Sequence, residues 1–266
     1  MRVVSLFANI GVAEAYLKEI GFNVVLANEF LPRRMDLYSK IYPETNCICG
    51  DFSDINIFKK IVDEASKLDL DVIMATPPCQ GMSTAGQQKK DDSRNNLIVP
   101  TIRFIQQIKA KYIFIENVPQ FLKTTISYKN EEILIPDLIK QELGDLYEIQ
   151  INLVDTQNYS VPQTRERAIL LLTRKDIEKK WKLPDRDHKK ITMEDAIGHL
   201  PSLDPYIKDV SEKILLEIFP DFYKKKKVAL DISRWHKPPQ HVKRQVLAMM
   251  HTPTGKSAFN NDSFKP

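Results

Sequence analysis

The sequence opens with RVVSLFANIGVAEAYLKEIGFNVVLANE (residues 2–29), in which two short apolar stretches flank a stretch with helical spacing. Arg2–Phe7 and Asn23–Ala27 are rich in β-branched side chains, which is typical of buried strands. Between them a helix ending at Gly21 is predicted, with these apolar residues on one face: Val12, Ala15, Tyr16 and Ile20. A strand, a helix and a second strand form the unit from which parallel sheets are built.

The same alternation continues to about residue 175. Further strands are predicted at Asn46–Cys49, Asp71–Ala75, Lys111–Glu116, Tyr147–Val154 and Ala168–Thr173, the last two as an antiparallel pair. Further helices are predicted at Arg33–Ile41, Ile55–Leu68, Leu97–Ile108 and Glu131–Leu143. Such alternation predicts an α/β fold with a mostly parallel sheet and helices on both faces. Beyond it we expect helical turns at Thr192–Ile197 and Ser211–Phe219, and a solvated basic loop at Tyr223–Lys227.

The composition is that of an ordinary globular protein. The 266 residues are 42% hydrophobic, and 39 Lys and Arg face 35 Asp and Glu, a net charge of +4. Disordered, collagen-like and membrane-spanning classes are thereby excluded, and no signal peptide is recognisable. Three cysteines (Cys47, Cys49 and Cys79) support neither a disulfide framework nor a zinc site. We therefore expect a reduced cytoplasmic protein with no metal site and no membrane association.

Residues with reactive or polar side chains follow five of the predicted strands. They are Phe7–Gly11, Glu29, Asp51, Cys79 and Glu116. In parallel α/β sheets, ligands bind outside the carboxyl ends of the strands, so these residues are predicted to meet at one edge.

Three features suggest chemistry at this edge. Cys79 follows Pro77-Pro78, a stiff turn that would present a nucleophilic thiolate, although a buried structural cysteine is the commoner case. Glu116 ends an apolar strand, where burial could raise its pKa and make it a proton donor, or where it could simply cap a helix. Arg165 and Arg167 point to one side of an extended chain and could bind a carboxylate, a phosphate or a carbonyl oxygen, or form an edge-strand charge ladder.

The first three strand ends could hold a nucleoside. The turn Phe7–Gly11 would bring backbone amides and a ring close to a ligand. Glu29 is suited to accept hydrogen bonds from ribose hydroxyls, and Asp51 beside Phe52 could bind and stack an adenine. Turn or capping roles are the commoner explanation for each residue alone.

In their order, the segments SLFANIG, LANEF, GDF, PPCQGMS, IENV and QTRER resemble the motifs of DNA (cytosine-5)-methyltransferases of bacterial restriction–modification systems. The resemblance covers residues 1–175 and continues more loosely through AIGHLPSL at 196–203. It implies a class I S-adenosylmethionine-dependent methyltransferase fold, with a Rossmann-like sheet of seven strands. It also implies S-adenosylmethionine as cofactor and methylation of C5 of a flipped cytosine in duplex DNA.

The resemblance also implies roles for individual residues. Cys79 would attack C6 of the base, Glu116 would hold or protonate N3, and Arg167 and Arg165 would lie near O2. The implied cofactor-binding residues are Phe7, Gly11, Glu29, Phe30, Asp51, Phe52 and Pro78. The implied DNA-binding residues are Gln80, Ser83, Arg94, Asn117 and Gln163, with Asn117 also supporting the local backbone.

We expect residues 1–175 to form the cofactor-binding and catalytic domain. Residues 176–266 would connect it to a target-recognition domain that is absent or truncated, and the C-terminal motifs of the family are not found. We therefore expect the catalytic subunit of a split enzyme or a fragment, with a second polypeptide that carries target recognition and the C-terminal motifs. The chain alone should then expose apolar surface beside the first predicted helix and bind DNA weakly. The alternatives are a non-catalytic cofactor-binding regulatory subunit, an RNA cytosine-5 methyltransferase and a small-molecule methyltransferase that shares only the fold.

Overall fold

The computed structural model describes residues 1–78, 96–187, 189–253 and 255–257. It divides into two compact units, Met1–Lys190 and Ile191–Pro266. Four predicted site residues lie outside the described part of the chain, namely Cys79, Gln80, Ser83 and Arg94.

The first unit is built around a sheet. Within its described residues, nine strands are assigned: β1 (Arg2–Leu6), β2 (Asn23–Glu29), β3 (Asn46–Cys49), β4 (Val72–Ala75), β5 (Tyr112–Asn117), β6 (Thr125–Tyr128), β7 (Glu131–Leu134), β8 (Tyr147–Asp155) and β9 (Glu166–Arg174). The helices of this unit are α1 (Pro32–Ile41), α2 (Ile55–Ser66), α3 (Ile98–Ile108) and α4 (Ile135–Leu143). Strands β6 and β7 form a separate hairpin, and the other seven form one sheet.

The sheet is mostly parallel. Its order is β3-β2-β1-β4-β5-β9-β8, with β1 to β5 parallel and β9 antiparallel to both β5 and β8. One face packs against α2, α3 and α4 in the main apolar core. On the other face, α1 packs against β2 through Met35 and Tyr38, and Trp181 packs over Val72 and Met74. This is the seven-stranded α/β architecture that the resemblance implied.

The helix predicted between β1 and β2 does not form. Residues 10–17 make turns, and only Lys18–Ile20 forms a short 3-10 helix, which ends at Gly21 in the predicted left-handed conformation. The predicted apolar face is exposed, with Val12, Tyr16 and Ile20 at 73%, 73% and 67%. A short amphipathic helix gains most of its stability from packing, and this apolar face has no packing partner among the described residues. The expected exposed apolar surface is therefore confirmed.

The helix predicted at Glu131–Leu143 is correct only in its second part. Residues 131–134 pair with β6, and Lys129 and Asn130 adopt positive φ values of 52° and 68° between the two strands. Positive φ at both central residues is typical of a tight hairpin turn. The helix begins at Ile135, next to Pro136, whose missing amide is tolerated in a first helical turn.

The second unit is mainly helical. Its elements in the described residues are α5 (Met193–Ile197), β10 (Tyr206–Ile207), α6 (Glu212–Ile218), α7 (Phe222–Ile232), β11 (Gln240–His241) and α8 (Lys243–Met250). Its apolar core comprises Ile207, Leu215, Phe222 and Val246. The basic run at 223–227 was wrongly predicted as a loop. It belongs to α7, because Phe222 and Ala229 bury one helical face while the lysines occupy the others.

No described helix is long and apolar enough to cross a membrane.

Candidate active site

The carboxyl ends of the parallel strands meet at one edge of the sheet. Leu6 is in register with Asn28 on one side and with Ala75 on the other, and Ala75 is in register with Ile115. Strands β2 and β3 lie on one side of β1, and β4 and β5 lie on the other side. The direction in which the chain adds strands to the sheet therefore reverses between β1 and β4. Such a reversal opens a crevice in which α/β proteins bind ligands. Apart from Pro78, the predicted cofactor residues lie at or just after the ends of β1, β2 and β3. The predicted catalytic residues belong to the segment after β4, to the end of β5 and to the start of β9.

The turn after β1 is tightly wound. Phe7, Asn9 and Gly11 have φ values of 61°, 52° and 82°, and the Gly11 amide donates to the Ala8 carbonyl at 2.9 Å. A Cβ atom on Gly11 would lie 2.1 Å from the ring of Tyr42, whose hydroxyl donates to the Gly11 carbonyl. The turn therefore requires glycine at this position, both for its backbone conformation and for space.

Glu29 links the turn after β1 to the end of β2 through hydrogen bonds. Its side chain is buried, and its two oxygens accept the backbone amides of Asn9 and Leu31, each at 3.0 Å. Arg34 lies 3.6 Å from the same carboxylate. These contacts hold Glu29 in one orientation beside the crevice. The next side chain, Phe30, is 60% exposed and offers a free aromatic face.

The end of β3 places Asp51 and Phe52 differently. Asp51 is exposed, and its Oδ1 accepts the amide and the hydroxyl of Ser53. The ring of Phe52 is only 2% exposed and packs edge-on against Phe7, at 5.4 Å between centroids. Stacking of an adenine on Phe52 was therefore wrong, because the ring is enclosed in the core. The Phe52 ring instead packs against Phe7 and supports its position.

These residues fit a nucleoside cofactor. Asp51 Oδ2 has no partner among the described residues and can accept a hydrogen bond, and Phe30 has a free face for stacking. Glu29, directly before Phe30, supplies a carboxylate whose orientation is fixed by the Asn9 and Leu31 amides. The residues that would hold the nucleoside of S-adenosylmethionine are thus Glu29, Phe30 and Asp51, with Phe7 and Gly11 shaping the turn.

Glu116 and Arg167 form the ion pair of the catalytic side. Glu116 belongs to β5 and pairs with Ile169 of β9, which brings Arg167 to it from the antiparallel strand. The Arg167 Nε lies 2.8 Å from Glu116 Oε1, and the Arg167 Nη1 donates to the Glu166 carbonyl. Burial raises the pKa of the Glu116 carboxyl, and the Arg167 charge opposes this effect only in part. Burial therefore favours the protonated carboxyl, while the contact with Arg167 favours the ionised form.

Asn117 is buried, so its predicted contact with DNA was wrong. Its Nδ2 donates to the Pro77 carbonyl at 3.0 Å, and its Oδ1 accepts the Val118 amide at 2.9 Å. The side chain thus ties the end of β5 to the Pro77-Pro78 turn. Pro78, partly buried, is the last described residue before Cys79. The other predicted role of Asn117, support of the local backbone, matches these contacts.

The two arginines predicted as a pair are in different environments. Arg167 lies in β9 and reaches Glu116, whereas Arg165 precedes the strand and is exposed. The Arg165 side chain has no partner in the described part of the chain. Gln163 is also exposed, and its carbonyl accepts the Thr156 hydroxyl at 2.7 Å. The structure therefore brings only Arg167 to Glu116.

Two positioning residues were missed from the sequence. Glu14 is buried and accepts the hydroxyl of Ser5, in β1, at 2.6 Å. Asn28 donates from Nδ2 to the carbonyls of Ile48 and Gly50, which joins β2 to β3 beside Glu29. Asn28 could have been found, since a buried amide next to Glu29 at a strand end needs partners. Glu14 gave no such signal, because the helical pattern suggested a solvent-facing position.

Comparison with known proteins agrees with this arrangement. The family profile described as C-5 cytosine-specific DNA methylase matches residues 1–258. The type II methyltransferase M1.HgaI of Avibacterium volantium is 37% identical over 262 residues, which are 97% of this chain and 66% of the relative. The type II methyltransferase M.NgoPII of Neisseria gonorrhoeae is 29% identical over 205 residues, covering 75% of this chain and 57% of the relative.

A solved structure supports the fold. The Entamoeba histolytica methyltransferase EhMeth matches with a TM-score of 0.56 and 18% identity, over 82% of this chain and 65% of that one. This chain spans less than two thirds of the length of the curated relatives it matches. The chain belongs to the C-5 cytosine-specific DNA methylase family.

Proposed function

We propose that this chain is the cofactor-binding and catalytic part of a DNA (cytosine-5)-methyltransferase. Its substrate would be a cytosine flipped out of duplex DNA, because C5 and C6 are shielded inside the base stack. The observation that carries the proposal is the Glu116–Arg167 pair, with its raised Glu116 pKa, beside the turn that leads to Cys79. Family membership and the order of the motifs agree with it.

Cys79 would be the nucleophile. Its thiolate attacks C6 of the cytosine, a new Sγ–C6 bond forms, and the ring electrons move towards C5. When bound, S-adenosylmethionine supplies the methyl group that C5 accepts. Loss of the C5 proton to a base then restores the C5–C6 double bond as the Sγ–C6 bond breaks, and the thiolate is released.

Glu116 and Arg167 would make the ring electrophilic. A carboxyl group with a raised pKa can hold a proton at N3 of the base, which draws electron density away from C6. Arg167 keeps Glu116 oriented through the 2.8 Å contact and has further N–H groups for the O2 atom of the base. Asn117 contributes by fixing the Pro77 carbonyl, and therefore the start of the segment that contains Cys79.

The first unit would perform both tasks, since the cofactor edge and the catalytic pair belong to one sheet. Arg165 and Gln163, both exposed, would approach DNA beside Arg167. We propose that target recognition is carried by another polypeptide. The support is the group of exposed apolar side chains at Val12, Tyr16 and Ile20, since exposed apolar patches often mark sites of protein–protein interaction.

Transfer of labelled methyl groups from S-adenosylmethionine to unmethylated duplex DNA tests the proposal. We expect incorporation to disappear in Cys79→Ala and to fall by about 10²- to 10⁴-fold in Glu116→Gln. Cys47→Ala is the matched control, because it removes a thiol that lies away from the catalytic pair. A duplex with fluorine at C5 of cytosine should trap a denaturation-resistant complex, since fluorine does not leave as a cation.

The outcomes separate the alternatives. Methyl transfer that persists in Cys79→Ala would exclude the covalent route. Transfer to RNA but not to DNA of the same sequence would favour the RNA enzyme. Binding of S-adenosylmethionine by the wild-type chain, with neither transfer nor trapping even in the presence of its recognition polypeptide, would indicate a non-catalytic subunit.

A further inference from the structure

Positive charge is concentrated in one segment of the second unit. Residues 222–253 contain eight Lys and Arg but one acidic residue, Asp231, whereas the whole chain is nearly balanced at 39 against 35. The rest of the chain therefore has more acidic than basic residues. A local excess of this size creates a positive potential that attracts anions over several ångströms.

Helix α7 directs part of this charge outward. Phe222 and Ala229 bury one face of the helix, and Lys225, on the flank of that face, pairs with Asp204 at 2.8 Å. Lys224 and Lys227 are three residues apart, so they lie side by side on the opposite face, and both are exposed. Neither has an ion-pair partner in the described part of the chain.

The residues after α7 extend the basic surface. The Arg234 guanidinium lies 4.9 Å from the centroid of the Trp235 ring, and Trp235 is 74% exposed. Lys237 is also exposed. A guanidinium above an aromatic ring keeps N–H groups available to an oxyanion, while the indole offers a flat apolar surface. Lysine side chains, an arginine fork and an exposed ring together are typical of a surface that binds a phosphate backbone.

We propose that the outer face of α7 with Arg234–Lys237 contacts the phosphate backbone of duplex DNA without reading its sequence. This inference rests on the proposed function, which makes duplex DNA the substrate. Lys224 and Lys227 would each neutralise one phosphate, and Arg234, oriented by Trp235, would bind another. The surface would retain DNA while target recognition selects the cytosine.

The test measures binding of the full chain to labelled duplexes of two unrelated sequences, by fluorescence anisotropy across a salt series. Lys224→Gln/Lys227→Gln should weaken binding equally for both sequences. It should also reduce the slope of log K against log salt by about 0.9 for each lost phosphate contact. Lys59→Gln/Lys60→Gln is the matched control, since it removes two exposed lysines from α2 at the same cost in charge, and its slope should equal that of the wild type.

Trp235 supplies a local readout. In a Trp181→Phe background, Trp235 is the remaining tryptophan, and its emission should change when DNA binds. The inference would be overturned if the wild type bound DNA in a salt-dependent way, both double variants showed the same slope of log K against log salt, and Trp235 emission did not change. The proposed function would then remain intact. DNA binding that is unchanged while association with another polypeptide is lost would assign the surface to a protein partner. No salt-dependent binding by the wild type would overturn the inference and also count against duplex DNA as substrate.

Discussion

A carboxyl group that loses water on folding holds its proton more tightly, and two glutamates of the first unit are in this position. Burial raises the pKa of both Glu116 and Glu14, and one polar neighbour opposes the effect in each case. For Glu116 the neighbour is the charged Arg167, and for Glu14 it is the neutral hydroxyl of Ser5. Glu116 borders the crevice and can exchange its proton, whereas Glu14 is enclosed and joins a turn to β1.

Glu14 should make the folded state sensitive to pH. Because its folded pKa lies above its unfolded value, the folded chain binds more protons between those two values, so stability falls as pH rises through this interval. Glu14→Gln keeps an oxygen for the Ser5 hydroxyl and removes the titration. We expect the decrease in Tm as pH rises above 4.5, the ordinary pKa of a glutamate, to be smaller in Glu14→Gln than in the wild type, as measured by circular dichroism.

Glu19→Gln is the matched control for this experiment, because Glu19 is an exposed acid of the same segment. Its Tm should follow the wild-type dependence on pH. Equal pH dependence in Glu14→Gln and the wild type would show that Glu14 titrates as it does in the unfolded chain.

At the scale of elements, the site depends on contacts between strand ends rather than within strands. Two successive prolines after β4 remove amide donors, so the turn can be held only through its carbonyl groups or by packing. Asn117 at the end of β5 uses this possibility, since it donates to the Pro77 carbonyl. In the same way, Glu29 at the end of β2 accepts the Asn9 amide of the turn after β1. Each turn that borders the crevice is thus held by a neighbouring strand.

Asn117→Ala should uncouple β5 from the Pro77-Pro78 turn. The substitution leaves the Pro77 carbonyl and the Val118 amide without their buried partner, which costs about 1–3 kcal/mol in the free energy of unfolding. We expect methyl transfer to fall while affinity for S-adenosylmethionine changes little, because the nucleoside residues follow other strands. Urea denaturation and isothermal titration calorimetry measure the two effects.

Asn117→Asp separates the two hydrogen bonds of this side chain. It retains an acceptor for the Val118 amide but loses the donor to Pro77. A loss of activity like that in Asn117→Ala would assign the effect to the Pro77 contact. Wild-type activity in both variants would show that the Pro77-Pro78 turn keeps its position without Asn117.

At the scale of the whole molecule, each unit has its own apolar core. The first unit extends past the last sheet strand to include Trp181, whose ring packs against Tyr112 and Phe114. The Trp181 amide donates to the Thr173 hydroxyl, and its carbonyl accepts the side chain of Gln150. These contacts cover the sheet face opposite α2, α3 and α4.

The fragment 1–190 should therefore fold alone and bind S-adenosylmethionine. The shorter fragment 1–175 lacks Trp181 and uncovers Val72 and Met74, so we expect its free energy of unfolding to be lower. Because Trp181 is only partly buried, the loss should be less than the roughly 3–5 kcal/mol that truncation of a fully buried aromatic side chain costs. Urea denaturation followed by far-UV circular dichroism compares the two fragments. Equal midpoints would mean that residues 176–190 contribute nothing to the first unit.

The sequence by itself determined the order along the chain of the seven strands of the main sheet, the α/β class and the residues that follow the parallel strands. These depend on the spacing of apolar residues among near neighbours, which periodicity reports directly. The order of the motifs also predicted the family. Glu116 and Glu29 could be selected in this way, because their positions at strand ends are local properties of the chain.

The tertiary structure alone decided which predicted residues act together. Phe52 and Asn117 are buried, and Arg167 contacts Glu116 whereas Arg165 is exposed. The apolar face of residues 12–20 is exposed, whereas Glu14 in the same segment is buried. These outcomes depend on partners far away in sequence: β9 for Glu116, Pro77 for Asn117 and Ser5 for Glu14. Burial and pairing are set by packing between elements, and such packing can override local spacing whenever an apolar face lacks a partner or a polar group finds one.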